Sequence, residues 1–264
     1  MIKGAIHVHS TYSDGEFTLA ELREIYLAAG CAFVCTNDHA EFFNDTKLQA
    51  YRDECAKLSD AKLNLIPGLE YRCEREMHIT AYGTTGLPGL TDPEKVIRYI
   101  GEAGAIAVIA HPKDAFFDWI ESFQTLPHGI ETWNTKYDGR YAPRPETFAL
   151  LQRLRQRNPE MRALYGQDLH WKRQFRGLFL EMEAGSGDTA TVLECLRNGR
   201  FHGKKGELEL PSDGLLSDEL LVQFGEAHAR SARMWQFVKS GKHVLEQLGI
   251  SVPKSMKAPL RKLF

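Results

Sequence analysis

The chain carries almost no net charge: 33 Lys and Arg stand against 35 Asp and Glu, a formal balance of −2. A global pull on nucleic acid or on an anionic membrane is thereby excluded, and any charge-based recognition has to be local. Cysteine is scarce. The five present, Cys31, Cys35, Cys55, Cys73 and Cys195, are odd in number and form no Cys-x-x-Cys pair, which disfavours a disulfide framework and a zinc finger and suits small buried hydrophobes. Long apolar runs are missing too. The most apolar internal stretch, 103–110, is too short to span a bilayer, and MIKGAIHVHSTYSDG lacks the apolar core of a signal peptide. A soluble cytoplasmic protein with no membrane partner is the expectation. There is neither an internal repeat nor a low-complexity segment.

What is present suits one large globular domain: 264 residues, 43% hydrophobic and 26% charged. Short β-branched runs alternate with stretches of helical period, a rhythm that predicts an α/β fold with a parallel sheet. The strands are expected at 2–9, 32–36, 64–68, 78–83, 105–110, 129–133, 162–165 and 178–182, and the helices at 18–29, 44–58, 92–103, 145–157 and 188–198. Thr18 with Glu21 and Thr91 with Glu94 read as capping boxes. Between Glu70 and His78 there is no room for a helix, so a barrel-like or distorted sheet is expected in place of a regular eightfold ring.

After Arg200 the rhythm stops. Residues 201–214 read as a loop or hairpin, and from Leu215 a helical appendage follows that Gly225 or Gly241 is expected to break. Leu216, Leu220, Phe224, Ala227, Trp235, Val238, Leu245 and Leu248 form a face to pack on the barrel. The expected division is 1–200 for a barrel carrying the site and 201–264 for the appendage. Six Lys and Arg against one Glu from Lys239 onward are either a solvated surface or a phosphate-lined rim.

Histidine placement carries the chemistry. His7 and His9 lie two apart at the end of the first strand, and Asp168 and His170 repeat that spacing near residue 165, so each pair is expected on one side of a pleat. Between them come Asp38 and His39, Glu70, His78 and His111, mostly at the carboxyl ends of strands, where α/β folds collect functional side chains. By strand count His78 is the exception, standing at the start of its strand. Six imidazoles and several carboxylates gathered without cations would set like charges and lone pairs against each other. Bound metal resolves that conflict. Mixed imidazole and carboxylate favour Zn, Mn or Fe over Ca, and so large a donor set fits two or three ions bridged by a carboxylate.

HVHSTYSDG, TNDH, the Glu of PGLEY, HITAYG, AHP and GQDLH, in this order over residues 7–170, resemble the PHP (polymerase and histidinol phosphatase) family. The resemblance implies a distorted (β/α)7 TIM-like barrel, usually three metal ions, and hydrolysis of phosphate esters. It also implies that His7, His9, Glu70 and Asp168 hold one ion, that Glu70 bridges to a second held by His78 and His111, and that Asp14, His39 and His170 hold a third. Asp38 resembles the neighbour that orients the imidazoles. Glu131 and Asn134 in GIETWN match family positions without an assigned task.

The expected reaction is attack on phosphorus by a hydroxide bridging two ions held by Glu70, His7, His9 and Asp168. His39 and His170 are candidates for protonating the leaving group, and Lys113, Arg140 and Arg144, with Arg72 and Arg75 behind them, for binding substrate phosphate. The expected partner is a small phosphorylated substrate, with a phosphomonoester favoured. A nucleotide phosphodiester or nucleic-acid end is the second reading, and an amidohydrolase-type reaction and a silent metal-stabilised scaffold are the others. The sequence leaves the oligomeric state open.

Overall fold

The computed structural model describes the backbone of residues 1–247 and their side chains except those of 232 and 235–247. Ten strands form one sheet in the order β10-β9-β8-β1-β2-β3-β4-β5-β6-β7. They are β1 (Ile2–Val8), β2 (Phe33–His39), β3 (Asn64–Arg72), β4 (His78–Tyr82), β5 (Ile106–Ala110), β6 (Gly129–Asn134), β7 (Arg162–Gly166), β8 (Phe179–Met182), β9 (Phe201–Lys205) and β10 (Leu208–Pro211). The helices are α1 (Leu19–Ala28), α2 (Asp45–Leu58), α3 (Pro93–Glu102), α4 (Phe117–Glu121), α5 (Pro145–Arg155), α6 (Thr189–Asn198) and α7 (Asp218–Gln247). Beyond β7 the chain returns to β1: Gln167 N–H donates to the Ile6 carbonyl at 3.2 Å, and Leu169 N–H to that of His7 at 3.3 Å. In turn His9 N–H donates to the Leu169 carbonyl at 3.0 Å, so β1 to β7 make a nearly closed, distorted TIM-like barrel.

The sheet is not uniformly parallel as the rhythm predicts. β4 runs antiparallel to both β3 and β5, and β8 runs antiparallel to β1. The segment 73–77 is far too short for a parallel crossover, which takes a dozen residues or more. It closes as a tight turn, with Cys73 N–H on the Met77 carbonyl at 2.7 Å and positive φ at Arg75 and Glu76. Reversal of β4 brings its first residue, His78, to the edge where β3 ends, and His78 pairs with Arg72 in register. β2 and β3 also run further than expected and pair His39 with Glu70.

Thr18 caps α1 as predicted: Glu21 N–H donates to its hydroxyl at 3.2 Å and Thr18 N–H to the Glu21 carboxylate at 2.8 Å. At α3 the expected box is displaced by one residue. Pro93 takes the first helical position, which suits a residue without N–H, so Asp92 becomes the cap and accepts from Lys95 N–H at 3.1 Å. Glu94 instead accepts the amides of Gln124 and Thr125, both at 2.7 Å.

Residues 201–211 form the β9–β10 hairpin, and β9 pairs with β8, so the sheet continues past residue 200. α7 runs through Gly225 and Gly241 without the expected break. Phe224 is buried, and Leu216, Leu220 and Ala227 pack on the core beside it. The side chains of Trp235, Val238 and Leu245, with Leu248 and the basic stretch to Phe264, lie outside the described residues. Among the described residues no helix is long and apolar enough to cross a membrane.

Candidate metal centre

All nine side chains singled out as ligands meet at one end of the barrel. Glu70 is the hub: its Oε1 lies 3.0 Å from His78 Nδ1, 3.1 Å from His111 Nε2 and 3.4 Å from His7 Nε2. Its Oε2 lies 3.3 Å from His39 Nδ1 and 3.4 Å from His9 Nε2. Asp168 Oδ1 stands 3.0 Å from His170 Nδ1 and 3.5 Å from His9 Nε2. Asp14 Oδ1 closes the outer side, 3.2 Å from His170 Nε2 and 3.7 Å from both His9 Nδ1 and His39 Nε2. Four overlapping groups have ligand atoms close enough to share an ion: His9, Asp14, His39 and His170; His7, His9 and Asp168; His7, Glu70 and His111; and His39, Glu70 and His78.

The backbone is bent to make this possible. His7, His111 and Asp168 all take positive φ, at 58°, 29° and 51°, a conformation that costs a non-glycine residue on the order of 1–3 kcal/mol. His7 sits in a bulge of β1, and Asp168 and His170 lie past the end of β7, so neither two-residue pair is a simple pleat pair as the spacing suggested. The left-handed residue re-aims the chain instead, and the His7 and His9 rings end 5.2 Å apart, tilted by 43°.

A carboxylate beneath the cluster fixes that bend. Glu131, fully buried on β6, holds His7 Nδ1 at 2.6 Å with one oxygen and accepts His111 N–H at 2.9 Å and the Asn134 amide at 2.9 Å with the other. Asn134 in turn donates to Asp168 at 3.2 Å. Gly166 leaves room for the arrangement, since a Cβ there would fall 1.9 Å from Glu131 Oε1. Glu131 and Asn134 thus have the orienting task that the sequence left unassigned.

Asp38 does not orient an imidazole. Its carboxylate accepts the backbone amides of Ser10 and Ser13, at 2.8 and 3.1 Å, and both their hydroxyls, at 2.7 and 2.6 Å. Two serines in the loop after β1 offer four donors closer than any ring nitrogen, so Asp38 anchors the loop that carries Asp14.

Electrostatics follow from burial opposed by charge. Burial pushes Glu70 and Asp168 toward neutrality, but the His7 charge and bonds from His111 and His170 outweigh it and hold both carboxyls well below their usual range. Burial likewise opposes charge on His7, yet Glu131, Asp168 and Glu70 raise it well above 6.5. His9, buried and stacked 3.9 Å from His170, goes the other way and is held neutral. For His170, bonds to Asp14 and Asp168 overcome burial and raise the pKa to about 9.

Lys136, which the sequence reading passed over, enters the site. Its ammonium lies 3.1 Å from Asp168 Oδ1 and 3.3 Å from both His170 ring nitrogens. Its place two residues past β6 was the available signal. Of the expected phosphate contacts, Arg144 is committed elsewhere: it bonds Asp138 at 2.6 Å, Asp114 at 2.5 Å and the Pro112 carbonyl at 2.6 Å, and so ties the loops after β5 and β6 together. Lys113 is exposed with its ammonium 5.4 Å over Phe116, Arg72 pairs with Glu76 at 2.6 Å, and Arg75 covers Trp119 at 4.5 Å. Arg140 lies over Tyr141 at 5.0 Å in the loop beside the mouth.

The donor set fits resident metal ions. His7 Nε2, both nitrogens of His9 and His39 Nδ1 are buried without a hydrogen-bond partner, a state that protein interiors rarely tolerate. A cation among Glu70, Asp168 and Asp14 would give each of these three rings a partner for its one lone pair.

Compared as a sequence, the chain matches no family model and no curated protein. Compared as a structure, it is similar to a two-domain protein from Bacteroides vulgatus described as containing a predicted PHP-like metal-dependent phosphoesterase, with a TM-score of 0.56 and 19% identity over 85% of this chain and 69% of that one. It is also similar to PsfC from Pseudomonas syringae, with a TM-score of 0.52 and 15% identity over 87% of this chain and 98% of that one. An amidohydrolase from Chromobacterium violaceum with bound sulfate and no metal matches at a TM-score of 0.50 and 16% identity, over 73% of this chain and 96% of that one. The chain therefore has the distorted barrel fold found in PHP-like proteins, the fold its motifs implied.

Proposed function

We propose that this protein is a metal-dependent phosphoesterase acting on a phosphomonoester. The observation that carries the reading is the single cluster in which nine His, Asp and Glu side chains surround buried, unpartnered imidazole nitrogens. His7, His9, Glu70 and Asp168 would hold one ion, Glu70, His78 and His111 a second, and Asp14, His39 and His170 a third, with Mn, Zn or Fe suited to the donors. Such ions supply Lewis acidity toward phosphoryl oxygens and acidify water near neutral pH.

The chain's own residues supply the rest. Glu131 and Asn134 hold His7, His111 and Asp168 in place, so the donors need little rearrangement. Lys136 brings a fixed positive charge to the edge of the cluster, where a phosphoryl group gains negative charge as it reacts. Tyr137, with its ring 4.3 Å from that of His111, and Trp171, 5.6 Å from that of His170, stand exposed beside the cluster. The burial of Glu70 and Asp168 within it favours a terminal phosphate over a continuous strand. The five buried, unpaired cysteines suit a reducing compartment, and we place the protein in the cytoplasm.

The test is phosphate release from a panel of phosphomonoesters and short oligonucleotides by protein loaded separately with Mn, Zn and Fe. Metal in stoichiometric amount and hydrolysis abolished by EDTA are expected. Ammonia release in place of phosphate, or a metal-replete protein inert toward the whole panel, would overturn the reading.

A further inference from the structure

α7 follows the last strand of the sheet, yet it reaches the loop that carries Lys136 to the metal centre. Phe224, buried against the core, seats the helix, and His228 comes one turn later on the same helix face. The His228 Nε2 lies 2.9 Å from the carbonyl oxygens of both Ala142 and Pro143. Carbonyls only accept, so Nε2 carries the proton and shares it between them. Ala142 and Pro143 are buried, where a carbonyl left unpaired is costly. Pro143 and Pro145 have no N–H to enter a strand ladder, which leaves side chains to hold this stretch.

From that anchor a run of contacts leads to the cluster. Arg144, next to Pro143, bonds Asp138 through Nε at 2.6 Å. The buried Asp138 closes the turn that begins at Asn134: its other oxygen accepts Asn134 N–H at 2.8 Å, and its own N–H donates to the Asn134 carbonyl at 2.8 Å. Trp133 braces the same turn, its indole N–H donating to the Gly139 carbonyl at 3.0 Å. Lys136 stands inside the turn with its ammonium 3.1 Å from Asp168 Oδ1. A lysine side chain is long and rotamer-rich, so the place of its backbone decides whether its charge reaches the cluster.

We propose that His228 is a positioning residue of the active site: by holding the Ala142 and Pro143 carbonyls it keeps Arg144 on Asp138 and so keeps Lys136 on the metal cluster. The proposal rests on the phosphoesterase reading and gives the C-terminal helix a part in that reaction.

The test is a double-mutant cycle on metal-loaded protein with p-nitrophenyl phosphate. His228→Ala is expected to lower kcat/KM about fivefold in the native chain and less than twofold in Lys136→Met, because the lost contact acts only through Lys136. His228→Gln, whose amide can donate from nearly the same place, should restore the rate, and metal content should be unchanged throughout. His228→Leu keeps the bulk without the donor and replaces His228→Ala if that variant fails to fold. The hold on the loop is read without turnover by chymotrypsin: cleavage after the exposed Tyr141 should run about fivefold faster in His228→Ala and at the native rate in His228→Gln. An equal loss of kcat/KM in both backgrounds, or cleavage no faster than in the native chain, would overturn the proposal while phosphate release stands. Faster cleavage in His228→Ala from a protein that releases no phosphate would overturn the phosphoesterase reading and leave the hold of α7 on the loop standing.

Discussion

The two halves of the cluster are built differently. His7, Glu70, His111 and Asp168 are at most 8% exposed and stand on or just past β1, β3, β5 and β7, with Glu131 and Asn134 braced beneath them. Asp14, by contrast, has a side chain 42% exposed and rides on a loop that Asp38 ties down through two serines. His39 and His170 connect the halves. Rigid strands and a buried brace pre-organise the inner half, while the outer half depends on a loop to bring its carboxylate into place. The inner donors should therefore bind metal more tightly than the outer ones.

The severest challenge to that ranking is Glu70→Ala, which removes the carboxylate that touches five imidazoles across both halves. Loss of metal from the two sites Glu70 would serve and a fall in turnover on the order of 10³-fold are expected, measured by elemental analysis and phosphate release. Retention of full metal content would end the case for Glu70 as the hub.

The pH dependence of stability comes next, read on metal-free protein. His170 is raised from 6.5 to about 9, so its stabilisation is complete below pH 6.5 and disappears as pH climbs through 9, by at most about 3 kcal/mol. His7 and His78 are also raised and add to the loss on the alkaline side. His9 is lowered and acts only below 6.5, while the depressed Glu70 and Asp168 stabilise in full above the ordinary carboxylate range and lose that stabilisation as pH falls from there through their folded pKa values. Denaturant titrations should show stability declining from pH 6.5 to 9 without metal and a shallower decline with it. The same slope in both would mean that metal does not engage these imidazoles.

Removing the brace has a smaller effect. Glu131→Ala should weaken metal binding by about 10–100-fold and lower turnover with it, whereas Asp38→Asn should spare the inner ions. If the two variants behaved alike, the contrast between strand-held and loop-held donors would fail. Smallest of all is Asp14→Ala. About one equivalent of metal should be lost while the others stay bound, resolved by competitive chelator titration.

How much of this was legible in the chain differs from place to place. That these imidazoles and carboxylates would meet could be read from their order along the chain, because few needs other than metal chemistry put so many at strand ends. Helix starts at Thr18 and Asn44 could be read because capping is local. At α3 a neighbouring proline moved the cap by one residue. Lys136 was passed over because its place two residues past β6 is all that separates it from other surface lysines; the approach of the loop after β6 to Asp168 makes it part of the site. Arg144 looked available for the same reason and is spent on Asp138 and Asp114.

The sequence by itself determined the histidines, Glu70 and Asp168 of the cluster and the alternation of strands and helices, since periodicity and side-chain chemistry are properties of short segments, while Asp14 and the TIM-like barrel came from the resemblance of its motifs. Tertiary structure alone decided which way β4 runs and so why His78 faces Glu70, that left-handed turns at His7, His111 and Asp168 aim their side chains inward, and that Glu131 rather than Asp38 steadies an imidazole. Those outcomes depend on contacts between residues far apart in the chain, 124 residues for His7 and Glu131, and no local preference encodes them.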